Sequence, residues 1–208
     1  MNQIDITPKG IDVDPVEIGA KYNKIATWWH DRHFDSAYGV ASFNKALVFC
    51  QPNSKTLDVG CGAGGRFINL LNSQGMHVTG IDVSRSMINL AKVNHPDNRF
   101  ILSDICTWQT DEQFDFIFAW DSIFHLPLNM HKLVIDKLSS MLTAKGILAY
   151  TFGNAEGENT SEWLNDTFYY SSIGINENIK QLMANGLTLL HLELDQYPEK
   201  HTFVVAQK

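Results

Sequence analysis

Three carboxylates and a run of glycines carry the chemistry legible in this chain. Leu57-Asp58-Val59-Gly60-Cys61-Gly62-Ala63-Gly64-Gly65 reads as a buried strand, a glycine turn and the start of a helix. Glycine is needed where the backbone turns through positive φ or lies against a ligand with no side chain between them. A second apolar run, about 20 residues on, ends in Gly80-Ile81-Asp82. A carboxylate at the carboxyl end of the neighbouring parallel strand accepts hydrogen bonds from both hydroxyls of a ribose. A third run, Phe100-Ile101-Leu102-Ser103, closes on Asp104. Together these residues point to an adenosine-bearing cofactor.

The glycines alone do not choose the cofactor. Gly60, Gly62 and Gly65 satisfy the dinucleotide spacing G-x-G-x-x-G, while Gly60, Gly62 and Gly64 satisfy G-x-G-x-G. Asp58 discriminates, because a dinucleotide site has an apolar strand residue two places before the first glycine. So does Val83-Ser84-Arg85-Ser86-Met87, which opens a helix under an apolar lid formed by Val83 and Met87. With Phe114-Asp115-Phe116-Ile117-Phe118-Ala119-Trp120-Asp121 following, the chain resembles the class I S-adenosylmethionine-dependent methyltransferases from about residue 20 to its end.

That resemblance implies S-adenosyl-L-methionine as cofactor and S-adenosyl-L-homocysteine as product. Asp58, Gly60, Gly62 and Gly64 match the family's first motif, with backbone groups of Gly60 and Cys61 offered to the aminopropyl part. Asp82 matches the ribose-binding acid, and Asp104 with Ile105 the position that reads the adenine amino group. Val83 and Met87 sandwich the adenine or else simply pack the core. Trp120 joins the cofactor residues at the end of the fourth strand. Tyr22 either covers the cofactor from an N-terminal helix or is a structural aromatic. Arg66, a cation at a positive helix end, either meets the cofactor carboxylate or stands solvated.

The acceptor side rests on fewer residues. Trp120-Asp121-Ser122-Ile123-Phe124-His125-Leu126-Pro127 follows the fourth strand, where the open edge of an α/β sheet builds its crevice. His125 is the candidate general base, since imidazole accepts a proton near neutral pH; the alternative is a histidine that packs the loop. Asp121 is the second catalytic candidate, accepting a hydrogen bond from cofactor or acceptor. Trp28, Trp29, His30 and His33, at the end of the first helix, and Tyr169 and Tyr170 are candidates to line an acceptor pocket, or to pack a capping helix. His30 and His33 make no metal site without a third ligand, and none is expected.

The elements that must position these residues alternate. Two cap helices near 16–31 and 39–50 precede strands at 55–59, 77–82, 99–103, 114–120 and 146–152, with helices at 65–73, 85–93 and 130–142 between them. Strands 187–195 and 201–207 are joined too closely for a parallel crossover and must be antiparallel. The expectation is therefore one α/β domain over 16–208, with residues 16–52 as N-terminal cap helices. Its core is a Rossmann-like, doubly wound, mostly parallel seven-stranded sheet with an antiparallel C-terminal hairpin and helices on both faces. Residues 1–15 read as a flexible arm. Residues 154–174 read as a long loop acting as a lid.

Composition narrows the partners. A net charge of −7 without a basic cluster argues against a nucleic-acid surface, and no apolar run is long enough to span a bilayer. Three cysteines without metal-ligand spacing suit reduced thiols in a cytoplasm. A small-molecule acceptor is the expectation. An NAD(P)-dependent oxidoreductase and a non-catalytic S-adenosylmethionine-binding protein stay open at this point.

Overall fold

The computed structural model describes residues 11–208 apart from Asp12, Tyr197 and Glu199, so most of the expected arm lies outside the described residues. Strands β1 (Lys55–Val59), β2 (His77–Asp82), β3 (Arg99–Leu102), β4 (Phe114–Ala119) and β5 (Leu142–Gly153) form the parallel body of the sheet. β6 (Glu156–Trp163) and β7 (Asp166–Ile173) stand apart, while β8 (Thr188–Glu193) and β9 (His201–Gln207) complete seven strands in the order β3-β2-β1-β4-β5-β9-β8. β9 runs antiparallel to both β5 and β8, which lie on either side of it. The doubly wound sheet with its antiparallel terminal pair is as expected.

The central strands are apolar along their whole length because helices cover both faces. Successive residues alternate between two cores. Leu57, Val59, Ile117 and Ala119 enter one, while Phe116 and Phe118 enter the other beside Phe43 and Ile147. The helices are α1 (Pro15–His33), α2 (Val40–Leu47), α3 (Arg66–Ser73), α4 (Arg85–Asn94), α5 (His131–Ser140) and α6 (Gly174–Ala184). α1 starts on a proline with Asp14 accepting from Val16 N, and α4 starts where Ser84 accepts from Met87 N.

The strand order reverses between β1 and β4, and that switch point places the glycine turn, Asp82, Asp104 and Asp121 around one crevice at the carboxyl ends of the strands.

The long loop expected over 154–174 is instead an antiparallel hairpin of β6 and β7. Its turn residues Leu164 and Asn165 both take positive φ, as a two-residue type I′ turn requires. β6 hides from sequence reading because it is solvent-facing and almost wholly polar. β7 buries Phe168, Tyr169 and Ile173. The hairpin is fastened to α1 by Lys24 on Asp166 at 2.7 Å and by Lys21 on the Thr167 carbonyl.

Candidate functional site

The glycine turn is held from below. Gly60 N and Cys61 N both donate to Ile81 O, and Gly64 N donates to Cys61 O. Backbone N–H groups of Gly60 and Cys61 are thus spent inside the fold, so any backbone group these residues offer to a ligand is a carbonyl. The Gly60 carbonyl has no donor among the described residues. Gly60, Gly62, Gly64 and Gly65 all have positive φ. At Gly60 a Cβ would also fall 2.2 Å from Ser122 Cβ, so the turn can lie against the β4 loop only without a side chain. Gly62 faces the crevice, its nearest neighbour there being the Trp29 indole nitrogen at 3.6 Å from such a Cβ.

Asp82 latches this turn: Oδ2 accepts from Gly62 N at 2.9 Å and Oδ1 from Ser84 N at 2.7 Å. Burial raises its pKa, and the backbone N–H groups only partly offset that. Asp58 is buried beside it, with no hydrogen-bond donor on its carboxyl group among the described residues, and its carboxyl lines the crevice. Burial, then the neighbouring Asp82, push its pKa well above the ordinary carboxylate value, against the pull of Arg66. A buried acid and a half-buried one facing one cavity suit a cationic, hydroxyl-bearing ligand.

Val83, Met87, Asp104, Ile105, Trp120 and Tyr22 all line the same crevice. Asp104 accepts from Cys106 N at 2.8 Å, which closes a turn at the end of β3. Arg66 is neither solvated nor free. Its Nε donates to Tyr38 O at 2.6 Å and its Nη1 to His33 O at 3.3 Å, so it pins the loop after α1 while still lining the cavity.

α1 is the roof, and two residues that sequence reading passed over seat it. Asn23 accepts from Ser84 Oγ and Ser86 N, both at 2.8 Å, which ties α1 to the start of α4. Gly19 sits where a Cβ would fall 2.6 Å from the Val83 carbonyl oxygen. A glycine inside a helix, costly without a packing reason, was the available signal. Gly19→Val should therefore lift the roof, at a cost of about 2 kcal/mol from overpacking. That corresponds to a fall in Tm of about 4–8 °C for a chain of this size. Differential scanning fluorimetry checks this, and an unchanged Tm would mean that α1 does not seat on the turn after β2.

The acceptor-side residues meet under that roof. Tyr22 Oη and His125 Nε2 are 2.9 Å apart, and His125 Nδ1 lies 2.7 Å from the Tyr169 carbonyl. A carbonyl only accepts, so Nδ1 carries the proton, Nε2 is the acceptor, and the Tyr22 hydroxyl donates to it. Burial lowers the His125 pKa to about 4, keeping the ring neutral. His125, the expected base, is therefore neutral and already paired with Tyr22. Burial, followed by the neighbouring Tyr170 and then Asp82 and Asp121, raises the Tyr22 phenol above its ordinary value.

Asp121 adopts a positive φ of 50°, unusual away from glycine. Its Oδ1 accepts from Thr151 Oγ1 at 3.2 Å and from His201 Nε2 at 2.8 Å. His201 Nδ1 bonds Asp195 on its other side. Burial pulls the His201 pKa down, but the two carboxylates outweigh it and raise the value overall. His201 was not foreseen, since nothing in the sequence says that the last strand inserts beside β5.

A second cavity opens from the first and shares Tyr22, Trp29, Asp121 and His125 with it. Trp29 and Tyr170 line it as expected. Trp28, His30, His33 and Tyr169 do not. Trp28 turns to pack on Trp163, His30 bonds Asp31, and His33 stacks on Trp29 with ring centroids 4.1 Å apart. Neighbouring residues of β7 point to opposite faces, so Tyr169 turns away and bonds Glu158.

Residues 56–146 match the sequence profile of a methyltransferase-domain family. A phosphoethanolamine N-methyltransferase from Plasmodium falciparum is 30% identical over 134 residues, 62% of this chain and 50% of that one. A trans-aconitate 2-methyltransferase from Escherichia coli is 39% identical over 94 residues, 44% of this chain and 36% of the relative. The chain thus spans about half or less of the length of these curated relatives. Among solved structures, the magnesium protoporphyrin IX methyltransferase of Synechocystis with bound S-adenosylmethionine superposes with a TM-score of 0.71. That likeness covers 96% of this chain and all of the other at 18% identity, which speaks for the fold alone.

Proposed function

We propose that the chain is a class I S-adenosylmethionine-dependent methyltransferase that methylates a small-molecule acceptor, a reading supported by the methyltransferase-domain profile over residues 56–146. The observation that carries the reading is the pair of acids, Asp58 buried and Asp82 half-buried, that face the crevice at the glycine turn. Asp58, without a donor of its own, and the free Gly60 carbonyl suit the ammonium of a bound S-adenosylmethionine. Asp82 suits its ribose, and the Val83–Met87 and Asp104–Ile105 positions suit its adenine. When bound, the sulfonium supplies an activated methyl group for a single in-line displacement.

The chain's own residues then have three tasks. α1 closes over the crevice, and Tyr22 and Trp29 exclude water from the junction of the two cavities. Tyr22, donating to His125 Nε2, keeps oxygen lone pairs for a proton leaving the acceptor and passes its own proton to the imidazole. Asp121, held by His201 and Thr151, presents a fixed negative charge beside the transfer. None of the three cysteines is in a disulfide, which supports placing the enzyme in a reducing cytoplasm. Among the described residues, no helix is long and apolar enough to cross a membrane.

Cofactor binding should depend on pH. Asp58 and Asp82 hold protons more tightly than ordinary carboxylates in the free protein. A cationic ligand hydrogen-bonded to their ionised forms lowers both pKa values, so binding releases protons and affinity rises with pH on the acid side of neutrality. Calorimetric titration of S-adenosylmethionine at about pH 6 in two buffers of different ionisation enthalpy should give different apparent enthalpies. Identical enthalpies would remove these acids from the ligand site. No binding of either sulfur nucleoside would overturn the whole reading.

A further inference from the structure

Six aromatic rings line the second cavity: Tyr22, Trp29, Tyr38, Phe124, Trp163 and Tyr170. They are set as walls rather than as a stack. The Trp29 and Trp163 planes cross at 88° with centroids 6.0 Å apart, and Tyr22 meets Trp29 at 86° and 5.9 Å. Among the described residues, no lysine or arginine lines this cavity, and its charged groups are Asp121, Glu162 and His201. Any positive charge on His201 lies between the carboxylates of Asp121 and Asp195. The nearest arginine of the first cavity, Arg66, is committed to the Tyr38 and His33 carbonyls.

Charge chemistry follows directly. A carboxylate or phosphate moved into such a box sheds water and meets no cation, which disfavours it. A nitrogen acquiring positive charge gains instead from the ring faces and from the two acids. Resting on the methyl-transfer reading above, we propose that the acceptor is an amine and that its nitrogen is the atom methylated.

The step balances within the two cavities. The nitrogen lone pair forms the new nitrogen–carbon bond, and the carbon–sulfur bond breaks with its electron pair on sulfur. The positive charge thus moves from sulfur in the first cavity to nitrogen in the second, passing Tyr22, Trp29 and Asp121 at their junction. An amine that arrives as its ammonium has no lone pair, so before transfer it gives one proton to the Tyr22 oxygen as Tyr22 gives its own to His125, which passes it on to solvent; the methylated ammonium then leaves with its charge.

Three probes of one shape and different charge test this: tert-butylammonium, tert-butanol and pivalate. Saturation-transfer NMR on their shared methyl signal should be recorded at pH 7 with and without saturating S-adenosylhomocysteine. The expected result is a dissociation constant for tert-butylammonium at least tenfold below that of tert-butanol, with pivalate weaker still. Trp163→Leu should cut that preference at least fivefold. It should leave S-adenosylhomocysteine affinity unchanged, because Trp163 lies outside the first cavity. Should that variant fail to fold, Glu162→Gln on the exposed strand β6 should cut it two- to threefold. Equal or tighter binding of tert-butanol or pivalate by the unaltered protein would overturn the proposal. Failure of S-adenosylhomocysteine to bind would overturn the cofactor reading instead, while the charge preference is still read in its absence.

Discussion

Asp82→Ala should weaken S-adenosylhomocysteine binding by about 100- to 1,000-fold, measured by isothermal titration. Two hydrogen bonds from ribose hydroxyls to one carboxylate are worth about 1.5–3 kcal/mol each, and every 1.4 kcal/mol is about tenfold. The fold should survive, because β2 keeps its ladders to β1 and β3 without that side chain. A fall in Tm of a few degrees is nevertheless expected. Asp82 is also the acceptor for Gly62 N and Ser84 N, and removing it leaves both groups without that partner.

That second role means that lost affinity alone would not identify a ribose contact, since a slackened glycine turn also weakens binding. A paired ligand separates the two. The unaltered protein should prefer S-adenosylhomocysteine over its 2′-deoxy analogue by about tenfold, the worth of one charge-assisted bond. Asp82→Ala should bind both equally, because the coupling between carboxylate and hydroxyl has gone. A variant that still discriminates would assign the ribose to another residue and leave Asp82 as a latch for the turn.

The half of the crevice proposed for the cofactor was legible because it is local. Asp58, the glycines and Asp82 sit at strand ends, and one parallel pairing brings them together within about 25 residues of chain. The acceptor half is assembled from distant segments, and there sequence reading divided. Tyr22 and His125 lie 103 residues apart, and nothing in either segment announces their hydrogen bond. Of the adjacent pair Trp28 and Trp29, only Trp29 reaches the cavity, a choice made by how α1 is seated. That seating involves Gly19 and Asn23, whose partners Val83 and Ser84 lie about 60 residues on. Trp163 and Glu162 were missed for another reason. A polar, solvent-facing strand shows no alternation, so β6 passed for loop and its wall of the cavity went unseen.

Tyr22→Phe should lower kcat by about 100-fold or more, the usual contribution of a positioned proton-transfer group. It should leave S-adenosylhomocysteine affinity within about threefold, since the ring that roofs the cofactor is kept. His125→Gln should cost as much. The double variant should be no slower than either single one, because residues acting as one relay lose their effect together. Independent, multiplying losses would mean that the two side chains serve separate steps. The pH profile gives a further reading on an acceptor chosen from an amine panel. An ordinary histidine would lose its base function as pH falls through about 6.5. Burial holds His125 down to about 4, so at S-adenosylmethionine concentrations that stay saturating across the range, enzyme-side kcat should stay level from pH 8 to below 6 and fall only nearer pH 4. An acid limb centred near 6.5 that vanishes in His125→Gln would show a solvated imidazole, and with it a Tyr22–His125 bond that opens before transfer.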